Sequence, residues 1–182
     1  PQNDNWSIQR FKLASPESII TADGEWNNWV RNPNTRLNVA WDIKDLGKTM
    51  KLLGHPDTIK DGEGELTGQL NWAGSPHEFN VAALNGNLKF EVRKGQILKV
   101  QPGVGRLFGL LSLQSLPRRL SLDFRDLFNS GFAFDKINAT VKIDRGILRS
   151  DNFMMSGPAA DVTIKGETNI QKETQQLHVK VI

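Results

Sequence analysis

Three glycines near the middle of the chain have the spacing of a phosphate-binding loop. Gly103, Gly105 and Gly109 lie in "KVQPGVGRLFG", after a strand pattern and at the start of an apolar run. In dinucleotide-binding folds such glycines bring backbone N–H groups against a pyrophosphate at a helix N-terminus. That chemistry also needs a parallel β-α-β unit, whereas Pro117, two arginines and antiparallel hairpin patterns follow here. The glycines therefore favour a tight turn and close packing over nucleotide binding.

The residue types that catalyse reactions or hold metals are thinly spread. The chain has no cysteine, and its three histidines, His55, His77 and His178, lack the paired spacing of a metal site. No nucleophile motif such as G-x-S-x-G is present. Asp123 and Asp126 are typical of helix-terminal charges rather than of an acid–base pair. We therefore expect no enzyme activity, no metal site and no cofactor.

Composition excludes other classes of function. Apolar residues make up 38% of the 182 residues and charged residues 24%, a balance typical of a folded domain. The net charge is +3, and the lysines and arginines are scattered among acidic residues instead of being gathered into one basic patch. We therefore expect no nucleic-acid partner.

The elements that must position any site are mainly strands. In "GNLKFEVRKG", Leu88, Phe90 and Val92 fall on one face, and Lys89 and Glu91 fall on the other. The same alternation recurs along the chain between short glycine-marked turns, which predicts about nine or ten antiparallel strands, each with one apolar and one wet face.

Helical patterns are few, and we expect two or three short helices. In "DIKDLGKTMKLLGHPD", Asp45 is placed to cap a helix with a stripe of Leu46, Met50 and Leu53, and Gly54 is placed to end it.

The run "PGVGRLFGLLSLQSLPRRL" predicts the longest helix, near residues 103–116. Its apolar part has about thirteen residues, against roughly twenty needed to cross a bilayer. We expect it to pack on the sheet through Leu107, Phe108, Leu110 and Leu111.

Both ends of the chain predict a piece of a longer protein. The first residues, "PQNDNW", contain no Met or signal peptide, and the last, "LHVKVI", have a strand pattern. No composition change marks an internal boundary, so we expect residues 1–182 to be a single segment of one elongated domain.

The segment "GRLFGLLSLQSLPRRLSLDFRDLFNSGFAFDKI" resembles the YhdP branch of the AsmA-like proteins. The flanking "LLGHPDTIKDGEGELTGQLNWAGSP" and "GILRSDNFMMSGPAADVTIKGETNI" are similar to the same family, so that the likeness covers about residues 44–182. The resemblance implies a long coiled antiparallel sheet whose apolar groove carries phospholipid between membranes. It also implies a periplasmic segment of a protein anchored in the inner membrane of a Gram-negative bacterium, with possible partner proteins in the envelope.

The resemblance turns the alternating residues into candidates for the groove lining. A period-two strand offers acyl chains an apolar surface while its other face stays in water. The candidates are Leu37, Val39, Trp41, Ile43, Leu66, Leu70, Trp72, Leu88, Phe90, Val92, Val141, Ile143, Val162, Ile164, Leu177 and Val179.

Two alternatives stay open at this point. Arg118 and Arg119, at the end of the predicted long helix, suit either contact with lipid phosphates or simple solvation of the helix end. The whole sheet suits either a lipid conduit or a structural module that docks a partner protein of the envelope without carrying lipid.

Overall fold

The computed structural model describes residues 5–27, 33–98 and 131–182, and these form one antiparallel sheet of nine strands. Each strand pairs with the next along the chain, so the predicted mainly-β, antiparallel fold is confirmed. The strands are β1 (Asn5–Ala14), β2 (Ser18–Asn27), β3 (Asn34–Ile43), β4 (Ile59–Ala73), β5 (Asn85–Ile97), β6 (Phe132–Asp144), β7 (Ile147–Ser156), β8 (Asp161–Asn169) and β9 (Thr174–Val181).

The turn between β6 and β7 is a tight hairpin that pairs two strands consecutive in the chain. Asp144 pairs with Ile147 across a two-residue loop, Arg145-Gly146. Both loop residues have positive φ, 48° at Arg145 and 73° at Gly146. Such turns match the twist of antiparallel strands, and glycine at the second position adopts this conformation without steric cost.

Two irregularities interrupt the alternation of side chains. In β1 the register against β2 shifts between Ile8 and Phe11. In β7 it shifts against both neighbours, between Ser150 and Phe153 on the β8 side. Such bulges add a residue to one strand, and they increase the local twist of a sheet.

The helix α1 (Leu46–Leu52) confirms one of the predicted helices. Asp45 caps it by accepting a hydrogen bond from the Lys48 N–H at 2.9 Å. The predicted apolar stripe is partly wrong, because Leu53 is the C-cap residue and is exposed, whereas Thr49 is buried. Thr49 tolerates burial because its hydroxyl donates to the Asp45 carbonyl at 2.7 Å.

The described part of the chain also contains a short 3-10 helix, Val81–Ala83, between β4 and β5. None of the helices in that part is long and apolar enough to cross a bilayer. The helix predicted near residues 103–116 lies outside the described residues, as do its candidate side chains.

Candidate functional site

All sixteen candidate residues lie on one side of the sheet, which we call the apolar face. Paired residues of neighbouring strands point to the same side, as do residues two apart along a strand. Trp41 pairs with Leu66, and Leu66 pairs with Phe90, which carries the face from β3 to β5. Equivalent pairings through β6 and β7 connect it to Ile164 and Val179 on β8 and β9.

The apolar face is larger than the sequence predicted. Its further members on β1, β2 and β7 were missed because the bulges in β1 and β7 break the alternation, and because two isoleucines are adjacent in β2. The alternation in β6 and β9 already predicted Ile137, Ala139 and Val181 for this face, and their cross-strand pairings confirm it. The added residues are Trp6, Ile8, Phe11, Leu13, Ile20, Ala22, Trp26, Leu148, Phe153 and Met155.

One end of the apolar face is closed by a tightly packed cluster. Val92 and Val162 are buried there, and Leu46 of α1 packs against the cluster. Phe132 and Phe134 join the same cluster as Ile137. Strict alternation along β6 would instead place these two phenylalanines on the opposite face from Ile137. The alternation changes phase here, since consecutive residues are exposed at 60–61 on β4 and at 93–94 on β5.

The opposite end is closed by the loop between β4 and β5. Trp72 is 3% exposed, and its indole N–H donates to the Ser75 carbonyl at 3.0 Å. Phe79 lies edge-on to the Trp72 ring at 5.4 Å between ring centroids. Glu78 accepts hydrogen bonds from the Ser75 N–H at 3.0 Å and from its hydroxyl at 2.8 Å, and these lower the pKa of Glu78.

Between these two ends, several large side chains of the apolar face are only half-buried. Val39, Leu66 and Leu88 all retain some solvent exposure. At the β1 margin the exposure rises to 61% for Trp6 and 59% for Leu13. A broad apolar surface left partly open in this way is typical of a binding surface rather than of a closed core.

The other side of the sheet, which we call the polar face, carries charged side chains that form ion pairs. Arg36 on β3 donates to Glu25 on β2 at 3.0 Å. Glu91 on β5 is flanked by Lys136 at 2.9 Å and by Arg93, and the hydrogen bond from Lys136 is the main cause of its lowered pKa. These exposed pairs contribute little to stability individually, but they keep this side hydrated.

Two open clefts, of about 780 and 410 Å³, lie on the polar face. The larger crosses β5 to β9, and Lys142, Lys165 and Glu167 are among the residues that line it. Arg149 lies in the same cleft and is held by Glu167 at 3.0 Å, so both signs of charge are present. This mixture does not favour one charged ligand.

Metal-binding geometry is not a feature of the described ranges. They contain no group of three or more His, Asp or Glu side chains able to hold a metal ion. The His77 ring contacts the Ser75 hydroxyl at 3.2 Å within the loop that covers Trp72. The glycine motif at 103–109, the four long-helix leucine and phenylalanine candidates, and the arginine pair at 118–119 lie outside the described residues.

Comparison with known proteins gives two matches of the same kind. The family model described as "YhdP protein" matches residues 1–182. The chain is also 32% identical, over 179 residues, to the "Intermembrane phospholipid transporter YhdP" of Escherichia coli (strain K12). This alignment covers 98% of the chain but only 14% of that relative's length. No solved structure matches the chain significantly.

Proposed function

The chain belongs to the YhdP family, and we propose that its apolar face is a stretch of the path along which phospholipid acyl chains move between two membranes. The observation that carries this proposal is the continuity of that face across all nine strands. The name of the relative supplies the cargo, phospholipid, and the intermembrane setting.

The physical requirement for carrying acyl chains is an uninterrupted apolar surface. Each methylene group moved out of water gains about 0.8 kcal/mol, so a gap in the surface is a barrier to a moving chain. Neighbouring strands lie about 4.8 Å apart, and nine strands therefore provide about 38 Å of surface across the sheet. The half-buried side chains in the middle of the apolar face leave room for a ligand to supply the remaining cover.

The proposal requires no catalytic group, because sliding a lipid along a surface breaks no covalent bond. The polar face keeps the carrier in water through pairs such as Arg36 with Glu25. The sixteen candidate residues are, on this proposal, the lining of the path, and the residues on β1, β2 and β7 extend it.

The wider setting is part of the proposal. We place this segment in the periplasm, as one section of an elongated groove in a protein anchored in the inner membrane of a Gram-negative bacterium. Residues 1–182 act as a single section without an internal boundary, and other envelope proteins are its expected partners. The E. coli source and the intermembrane role of the relative support this placement.

A matched pair of substitutions on β5 tests the proposal. Leu88 lies on the apolar face, and its neighbour Lys89 is exposed on the polar face. Leu88→Asp should lower the amount of co-purifying phospholipid by at least about tenfold, because a lone carboxylate in an apolar site is costly. Lys89→Asp should leave bound phospholipid unchanged.

Circular dichroism and soluble yield must be equal for the two variants, so that misfolding is not mistaken for lost binding. Val141→Asp with Lys142→Asp repeats the comparison on β6 and guards against a defect special to β5. Equal lipid loss from both members of each pair would contradict the assignment of the apolar face.

A further inference from the structure

The two ends of the apolar face differ in the kind of side chain that they carry. We call the end that Leu46 closes the α1 end, and the end that carries Trp72 the loop end. Of the four tryptophans in the described residues, three stand in one row at the loop end. The row runs across the strands from Trp6 on β1 through Trp26 and Thr35 to Trp72 on β4.

The same difference between the ends is found on β8 and β9, at the far side of the sheet. At the α1 end these strands pair Val162 with Val181, and Val162 is only 2% exposed. At the loop end they pair Thr168 with Gln175, and both residues are half-buried. The apolar face therefore finishes in aliphatic side chains at the α1 end and in polar or indole side chains at the loop end.

The distance between the two ends matches the length of one phospholipid. Strands rise about 3.3 Å per residue, so Gln175 and Val181 lie about 20 Å apart along β9. A bilayer with its headgroups is about 40–45 Å thick, so a phospholipid in one leaflet spans about 20–22 Å. A lipid lying along the strands thus places its headgroup at one end of the apolar face and the tips of its acyl chains at the other.

We propose that phospholipids on the apolar face lie with their headgroup and glycerol at the loop end and the tips of their acyl chains at the α1 end. This inference rests on the proposed function and adds a headgroup subsite to it. Trp6 is the most accessible member of the subsite, because it is 61% exposed and its ring stacks on Trp26 with 6.3 Å between the ring centroids.

The chemistry of the two ends favours this orientation over its reverse. An indole combines an apolar ring with one N–H donor, so tryptophans are enriched where an apolar region meets water. The glycerol and ester groups of a phospholipid form such a boundary. The reverse orientation would bring a charged phosphate against Val162 and Val181, whose side chains offer no hydrogen bond, and would lay hydrocarbon over the Thr168 hydroxyl. Both arrangements are costly.

Two positions on β1 form a matched pair for testing the orientation. Trp6 at the loop end and Leu13 at the α1 end both lie on the apolar face, and they are 61% and 59% exposed. A fluorescent amino acid replaces one or the other in the full-length protein. The probes are phosphatidylethanolamine with a quenching nitroxide on its headgroup and the same lipid with the nitroxide near the tip of one acyl chain.

The two probes should give opposite orders of quenching. Because position 6 and position 13 are about 20 Å apart along the strand, the headgroup probe should quench position 6 at least about twofold more strongly than position 13. The chain-tip probe should quench position 13 more strongly by a similar factor. A fluorescent residue in place of Lys12, which is exposed on the polar face beside Leu13, gives the background.

Gln175 and Val181 on β9 repeat the comparison at the other edge of the sheet and guard against an effect special to β1. Quenching of equal strength at both ends with each probe, or in the reverse order, would overturn the orientation while leaving the lipid path intact. If neither probe quenched any apolar-face position above the background at Lys12, the proposed function and this inference would fall together.

Discussion

At the scale of single residues, glycines set how closely strands of the sheet approach. Gly68 on β4 faces the same side as Val39 and Leu88, its partners on β3 and β5. A Cβ atom at this position would overlap the carbonyl oxygen of Asn87 and lie 2.9 Å from the Leu88 Cα. The obstacle is backbone, which cannot move aside as a flexible side chain would.

Gly68→Ala should therefore destabilise the protein by about 1–3 kcal/mol, the range for overpacked sites. Urea unfolding followed by circular dichroism measures this change. Thr67→Ala, one residue away on the exposed polar face, should cost under about 1 kcal/mol. A Gly68→Ala protein as stable as wild type would show that β4 and β5 can separate freely at this point.

The sixteen candidate residues were predictable because regular alternation fixes the side of every residue in a strand. Leu88, Phe90 and Val92 needed only their own strand to be assigned. Phe153 and Met155 could not be assigned in this way, because β7 contains an extra residue that shifts the alternation. The contacts that hold this bulge come from a neighbouring strand. Asn152 accepts from the Thr140 N–H at 2.9 Å and donates to its hydroxyl at 2.7 Å, which no local pattern encodes.

At the scale of elements, α1 depends on its first residues. The carboxylate of Asp45 contacts the Lys48 Nζ at 2.8 Å and the Lys48 N–H at 2.9 Å, and the side-chain contact is the main cause of its lowered pKa. Asp45→Ala removes both contacts and should cost about 0.5–2 kcal/mol at pH 7. Chemical unfolding at that pH measures the difference.

The same contacts predict how that difference varies with pH. Because folding lowers the Asp45 pKa, its contribution is fully present above the unfolded value of about 3.9 and is lost as pH falls through the lower folded value. The stability gap between wild type and Asp45→Ala should thus narrow only below about pH 4. A gap that stayed constant down to pH 2 would contradict a role for the ionised carboxylate.

The bulge in β7 gives a second prediction at this scale. Asn152→Ala removes both hydrogen bonds to Thr140 and should cost about 1–2 kcal/mol. Since these contacts hold the bulge that brings Phe153 to the apolar face, amide hydrogen exchange should accelerate in β7 and at Thr140 more than in β3. Uniform acceleration across the sheet would instead indicate a general loss of stability.

At the scale of the whole molecule, the antiparallel order of strands was predictable where short turns join them, as from β6 to β9, because such turns leave neighbouring strands little choice of partner. The closure of the two ends of the apolar face was not predictable from the sequence. It depends on Leu46 from α1 at one end and on the Trp72, Ser75 and Phe79 contacts at the other. These contacts join side chains whose own segments give no signal of where they pack.

The central claim, that acyl chains travel on the apolar face, is tested most directly by mapping where a lipid touches the protein. A photoreactive amino acid is placed in turn at Val39 and Leu88 on the apolar face, and at Asn38 and Lys89 on the polar face. After irradiation of cells, phospholipid attached to the protein is measured by mass spectrometry. The account predicts lipid adducts at the first two positions and background levels at the other two. Equal adducts on both faces, or adducts only on the polar face, would contradict it.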